Sequence, residues 1–427
     1  MKPQRNASLQ TALTSVALLR RWTAVCTLVL LWSTWRLWLP YPGLAFPQVP
    51  AFEFLCTMPL FVDWICAAGL VAGLLTMVLA PRRITMAASL ILPCGLALLC
   101  LNQHRLQPWF YQLLLLASVF TMRSEQRQLW WARVLIVSIY AFSAVGKFDF
   151  EFLHTVGQQF LDALVGAFGG EATKWSLPTR LTTAGLMPSF ELLLAAALWI
   201  TMGRGISRKL RAGTAIAACM FHLAMAFFFA VIMKHSTAVV LWNLQFAVQA
   251  LILFWPMQEA LDSSANDQVN AGQVDWYTRG VTTLVGVLIC MPFAERWGWW
   301  DHWPSWALYA PHSSRVELSI ASHAVDLLPQ DVQPFVEGDP NGLWRRIALG
   351  RWSLDSLQTP IYPQARFELG VARQIAQHVG SVVTIRAELL GAAHRWNGRR
   401  QRVEAVGTQR LDDLQSHFLL NTRPREL

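Results

Sequence analysis

The sequence predicts an all-α polytopic membrane bundle of about nine transmembrane helices, followed by a small extracytoplasmic α+β module. Three observations predict it. Of 427 residues, 54% are hydrophobic and only 14% charged, against roughly 25% charged in soluble domains. Residues 1–293 hold 20 Lys/Arg and 12 Asp/Glu, whereas the much shorter 294–427 holds 15 and 14. Apolar segments of about 14–22 residues also recur through the first part, near the ~20 needed to cross the hydrocarbon core. The chain therefore divides into a transmembrane domain, 1–293, and a water-exposed module, 294–427.

The apolar segments fall near 22–40, 61–80, 85–101, 109–122, 131–147, 185–202, 213–233, 238–255 and 277–293. The first follows Lys2, Arg5, Arg20 and Arg21, with no small-residue cleavage site after it, so it reads as a retained span. The fourth is short and follows the third after only Asn102–Pro108, a pattern a re-entrant hairpin would also give. Orientation comes from short-loop charge. One set of flanks carries Lys2/Arg5/Arg20/Arg21, Arg82/Arg83, Arg123/Arg127/Arg133 and Arg204/Arg208/Lys209/Arg211, while the other carries only Arg105, Lys147, Lys174, Arg180 and Lys234. The positive-inside rule places the N-terminus in the cytoplasm and the C-terminal module outside. The loop 256–276 is acidic, and acidic residues count little in that rule.

Between the fifth and sixth spans, Val156–Phe168 has apolar residues at 156, 160, 161, 164, 165 and 168, one helical face. It reads as an amphipathic helix on the membrane surface or capping the bundle. Five Trp between 297 and 306 mark an interfacial belt where the chain leaves the bilayer. In the module, Arg315–Ile320 and Val382–Leu390 read as strands, Gln364–Gln377 as a helix, and the last dozen residues as frayed.

Several function classes are excluded. The seven Cys sit in or beside apolar runs with no C-x-x-C pair, against a disulfide framework, a thiolate zinc site or a redox relay. No H-E-x-x-H, G-x-S-x-G or EF-hand pattern occurs, and no metal is expected. The net charge of +9 is topology information, so no nucleic-acid partner is expected; the partners are membrane lipids and an extracytoplasmic protein.

Ionisable groups inside spans cost ~2.5–3.5 kcal/mol each at mid-helix, so function is sought there. Arg36, His104, Arg105, Lys147, Asp149, Glu191 and Asn243 all gather in the outer half, with His222 near mid-membrane. A polar hollow would explain the gathering. Lys147 is the candidate base, and the bland alternative is a side chain reaching for the headgroups. Glu191, too short to reach far, is either an ion-pair partner of Arg36 or Lys147 or a catalytic group.

The segments NQHRLQPWFYQ (102–112), SIYAFSAVGKFDFEFL (138–153), MPSFELLL (187–194) and CMFHLAMAFF (219–228) resemble, in order and spacing, the horizontally transferred transmembrane (HTTM) domain family, which includes the membrane domain of vitamin K-dependent γ-carboxylase. The resemblance covers about residues 15–260. It implies that Lys147, in the G-K-hydrophobic-[N/D] element, is the base that deprotonates a reduced lipophilic quinone. Oxygen then yields an epoxide and a base strong enough for glutamyl γ-carboxylation. His104 falls where the family has a functional histidine. The carboxylase's large substrate-gripping C-terminal portion has no evident counterpart in the ~130 residues here.

The resulting expectation is a bacterial cytoplasmic-membrane enzyme acting on a quinone or quinol. Its catalytic groups would be Lys147, His104 and Glu191, in a pocket of Arg36, Arg105, Asp149, His222 and Asn243. The competing readings are a non-catalytic scaffold whose module docks a partner, a DoxX-like redox-associated protein, and a transporter. Nine spans are too many for the second, and no repeat with broken helices supports the third.

Overall fold

A computed structural model describes residues 2–41, 46–203, 205–256, 275–380 and 384–426. Arg204, most of the acidic 256–276 loop and the first residues of the expected strand at 382 lie outside the described residues.

Among the described residues, eight helices are long and apolar enough to cross a membrane. They belong to α1 (Lys2–Ser33), α2 (Phe61–Leu79), α3 (Ile84–Leu101), α5 (Glu125–Lys147), α7 (Leu177–Thr201), α8 (Arg208–Phe227), α9 (Thr237–Phe254) and α10 (Trp276–Cys290). A π turn extends α8 to Ile232, and a 3-10 segment extends α10 to Trp297. The fourth apolar segment is different: α4, Pro108–Phe120, has 13 residues, about 20 Å of helix against a ~30 Å hydrocarbon core. All of its residues but Ser118 are buried. A helix wrapped by its neighbours need not match the lipid thickness.

Helix starts follow capping residues rather than the apolar boundary. Ser124, Ser176 and Ser207 accept from the backbone N–H of Arg127, Thr179 and Leu210, and Asp275 accepts from Thr278 N at 2.6 Å. This starts α7 eight residues before its apolar run, and α5 six. The first span starts earlier than expected, at Ser15, and its long helix ends at Ser33.

Leu79, Leu193, Phe227 and Phe293 stand on the bundle surface, as lipid contact requires. Polar groups turn inward. Gln112 Nε2 donates to Gln249 Oε1 (3.0 Å), Trp242 Nε1 to Gln112 Oε1 (2.7 Å) and Gln249 Nε2 to Thr23 Oγ1 (3.3 Å), a network joining α1, α4 and α9. On the face remote from the module, Arg20 donates to Pro81 O (2.7 Å) and Gln128 Oε1 (2.8 Å), and its guanidinium lies over the Phe120 ring. Helix α4 therefore joins the two faces of the bundle.

The C-terminal module is an antiparallel five-stranded sheet, order β2-β3-β1-β4-β5. Its strands are β1 (Arg315–Ala321), β2 (Val336–Glu337), β3 (Trp344–Ile347), β4 (Ile385–Leu390) and β5 (Arg402–Val406). β1 pairs β4 from Arg315↔Leu390 to Ile320↔Ile385. Val316, Leu318 and Ile320 alternate inward, and the helix Ala365–Val379, which packs on β1, buries Phe367, Val371 and Ile375. Glu368 on that helix is buried and accepts from Val316 N at 2.5 Å. Burial pushes its carboxyl up to about 8.

The module is bonded into the bundle. Arg395 donates to Val145 O and Phe148 O (2.8 and 2.9 Å), and Phe150 N donates to Arg395 O (2.8 Å). Gly398, at φ +65°, lets this loop close on Phe150; a Cβ there would meet Phe150 Cδ1 at 2.5 Å. The expectation of a frayed tail is corrected. Asn421 N donates to Ala51 O and Arg425 N to Gln48 O, and Arg425 is buried. What holds the tail is a charge: Arg425 Nη1 lies 2.6 Å from Asp63 Oδ2.

Candidate functional site

A cavity of about 620 Å³ lies at the module end of the bundle, between α5, α7, α8 and α9. It is roofed by helix α6 (Val156–Ala167) and by residues 302–313 and 360–363. The amphipathic segment thus caps the bundle: Phe160 and Leu161 are buried, and Val156, Phe160 and Leu164 line the cavity. The walls are largely apolar and rich in aromatic rings, including Phe190, Phe221, Phe228, Phe229, Trp242, Phe246 and Tyr309.

Four of the eight residues singled out from sequence meet here: Lys147, Glu191, His222 and Asn243. Lys147 ends α5 and Glu191 lies midway along α7. Lys147 Nζ is 2.6 Å from Glu191 Oε2 and donates to Ser143 Oγ at 2.7 Å, with the two charged side chains 11% and 13% exposed. The pairing of Glu191 with Lys147 rather than Arg36 is thereby settled geometrically. Ser143 and Tyr140, four and seven residues before Lys147, share its helical face and also line the cavity.

Tyr140 Oη is 2.5 Å from His222 Nε2, and His222 Nδ1 is 2.9 Å from Asn243 Oδ1. The proton positions follow from Asn243, whose Nδ2 donates to Val239 O at 2.9 Å. Oδ1 must then accept, so His222 carries its proton on Nδ1 and accepts the Tyr140 hydroxyl at Nε2. The His222 ring lies flat on Phe246 at 4.8 Å.

The other four lie elsewhere, which corrects the expectation of one shared hollow. Arg105 is buried in a triad: its Nη1 is 2.5 Å from Asp63 Oδ1, opposite Arg425, and it donates to Leu37 O and Trp38 O. Arg36 donates to Ser356 O at 3.2 Å and lines a separate crevice of about 170 Å³. Asp149 caps the helical turn Phe150–His154 and pairs with Arg296 at 2.9 Å. His104 lies behind the cavity wall, its ring against Phe46 and Phe367 and its Nε2 2.8 Å from Pro360 O, a cavity-lining residue. Burial pushes its imidazole down to about 4, so it is neutral and donates from Nε2.

Sequence reasoning missed Tyr140, Ser143, Trp109 and Tyr309. The first two could have been found from their 7- and 4-residue spacing to Lys147. Trp109 Nε1 and Tyr309 Oη are buried without a hydrogen-bond partner and line the cavity. Ser236 N donates to His235 Nδ1 at 2.8 Å, which leaves the His235 proton on Nε2. Beside this cavity, Glu295, His302 and His312 bring three ligand-type atoms within 4.8 Å of one another.

The fold and site together define a helical bundle, compatible with an integral membrane protein, that holds an acid–base cluster in an apolar cavity. No protein-family model, curated protein or solved structure matches the chain.

Proposed function

We propose that the chain is a membrane enzyme that takes a proton from a lipophilic quinol, with Lys147 as base, in the manner of the HTTM domain of vitamin K-dependent γ-carboxylase. In this reading it passes nine times through a bacterial cytoplasmic membrane, α4 included, with the N-terminus in the cytoplasm and the module outside. The observation that carries the proposal is the Lys147–Glu191 pair, held at 2.6 Å in the wall of a largely apolar cavity. Lipid penalises such groups singly. Convergence on one hollow is what a reaction centre requires.

The ligand class is supported by the cavity itself. About 620 Å³ lies within the ~300–1,000 Å³ of small-molecule sites, and aromatic walls suit a flat ring. Trp109 and Tyr309, whose Nε1 and Oη have no protein partner, stand in that wall. A reduced quinone supplies the reducing equivalents for whatever oxidation follows.

The residues themselves supply proton handling. Transfer of one proton from Lys147 Nζ to Glu191 Oε2 converts the ion pair into an amine and a carboxylic acid, and the amine then accepts the proton of a ligand hydroxyl. The ammonium formed stays beside the oxygen it deprotonated, and low local dielectric strengthens that attraction. Tyr140 and His222 offer a second path: Tyr140 accepts a proton at its oxygen as its own passes to His222 Nε2. Asn243 fixes the tautomer this needs, and His104 positions the wall through Pro360.

The test is extraction of protein purified in mild detergent. Quinone is expected in the wild type and is lost, or reduced at least about tenfold, in Lys147→Ala. No quinone in either protein would favour a non-catalytic scaffold and overturn the proposal.

A further inference from the structure

We propose that Glu295, His302 and His312 form a binding site for a divalent transition metal of the zinc class, at the edge of the cavity. This inference does not rest on the quinol reading. The three residues come from the end of α10 and from the turn-rich stretch that follows it. His302 Nδ1 is 3.0 Å from Glu295 Oε1, and His312 Nε2 is 3.0 and 3.2 Å from the two Glu295 oxygens. Zinc bonds of ~2.0–2.2 Å to nitrogen and oxygen in a tetrahedron place donors about 3.4 Å apart; the two histidine–glutamate spacings are close to that, and all three ligand atoms lie within 4.8 Å of one another. The three side chains are 10%, 4% and 1% exposed, which holds their rotamers in place.

The second observation is the outer face of His312. Its Nδ1 is buried with no hydrogen-bond partner and lies 3.9 Å from Asp149 Oδ2. A neutral imidazole has one proton, yet His312 faces a carboxylate at each nitrogen. A metal at Nε2 resolves the conflict: the proton goes to Nδ1 and points at Asp149. This is the carboxylate–histidine–metal arrangement by which proteins orient ligating histidines. Asp149 is itself held by Arg296 at 2.9 Å and by the N–H of Glu151 at 2.8 Å.

The donor set also selects the ion. Two imidazoles and one carboxylate suit zinc and its neighbours, whereas calcium and magnesium require more oxygen ligands. Arg296, and Arg395 near Asp149 and Glu295, offset the two carboxylates, which disfavours hard cations held by charge alone. Three protein ligands leave one position open, and His302 lines the cavity, so the open position can take water or a cavity ligand's oxygen.

The test uses the full chain in detergent, stripped with chelator and titrated with Co²⁺. One equivalent should bind at micromolar concentration with the visible bands of a four- or five-coordinate ion. No thiolate charge-transfer band should appear, which excludes the seven cysteines, and one equivalent of Zn²⁺ should displace the cobalt. Glu295→Gln and His312→Ala should abolish binding, while Asp149→Asn should weaken it by about 10–100-fold. Should His312→Ala misfold, His302→Gln decides, provided its cooperative unfolding in chelator matches the wild type. A well-folded wild type that binds no cobalt, or binding unchanged in His302→Gln, would overturn the site.

Discussion

Replacing Lys147 by Met leaves the Glu191 carboxylate facing aromatic walls with one fewer partner than it needs. At 2.6 Å the two charges attract by about 6 kcal/mol at an effective dielectric of about 20. Most of that attraction only offsets the cost of removing both ions from water. The net worth of the pair is therefore small, whereas breaking it is costly, about 3–5 kcal/mol for a buried pair that loses one member. Glu191→Gln should cost less than Lys147→Met, because Lys147 keeps Ser143 as acceptor and sits at a helix end. The double variant, Lys147→Met with Glu191→Gln, should recover most of the loss and unfold within about 1 kcal/mol of the wild type. Unfolding midpoints of the four proteins in one detergent supply the cycle, and monodispersity is the control. Additive losses in the double variant would refute the reasoning, since two groups that add independently are each solvated alone and share no dry wall.

Other consequences are as direct. The Glu368 carboxyl is raised to about 8, so the folded state holds a proton that the unfolded chain releases near 4.5. Stability conferred by that group is complete at low pH and is lost as pH rises toward 8. Glu368→Gln should flatten that fall and raise the unfolding temperature at pH 8, while keeping the acceptor for Val316 N; a parallel pH profile in the variant would contradict this. Arg425→Met leaves Asp63 with Arg105 alone and frees the C-terminal tail. A loss of about 3–5 kcal/mol is expected, together with new protease sensitivity confined to residues beyond about 415. Finally, a periplasmic reporter fused after Leu427 should be active and a cytoplasmic one silent. The reverse pattern would overturn the orientation drawn from loop charge.

The bundle was legible because lipid crossing writes itself as length and hydropathy, and eight of nine expected segments became helices of spanning length. What could not be read was enclosure. Helix α4 is short because its neighbours bury it, and no local pattern separates a buried 13-residue helix from half of a hairpin. Arg105 and Asp149 looked like Lys147 in sequence, charged groups near span ends, and their different fates depend on distant partners, Asp63 with Arg425 and Arg296. Glu295, His302 and His312 were hidden by tryptophan density, which made the whole stretch read as an interfacial belt. In the module, β1 and β4 showed clear alternation, whereas β2, with two residues, and β3, reading Trp-Arg-Arg-Ile, carry too little pattern.

Occupancy of the cavity is the claim on which the rest depends. A photoreactive quinone analogue, irradiated with the purified chain and mapped by mass spectrometry, reads it directly. Labelling should concentrate on peptides holding Tyr140–Lys147, Phe221–Phe229 and Trp242–Phe246, and excess unlabelled quinone should suppress it. Labels scattered over lipid-facing residues such as Leu79 and Leu193, and indifferent to competitor, would contradict the account.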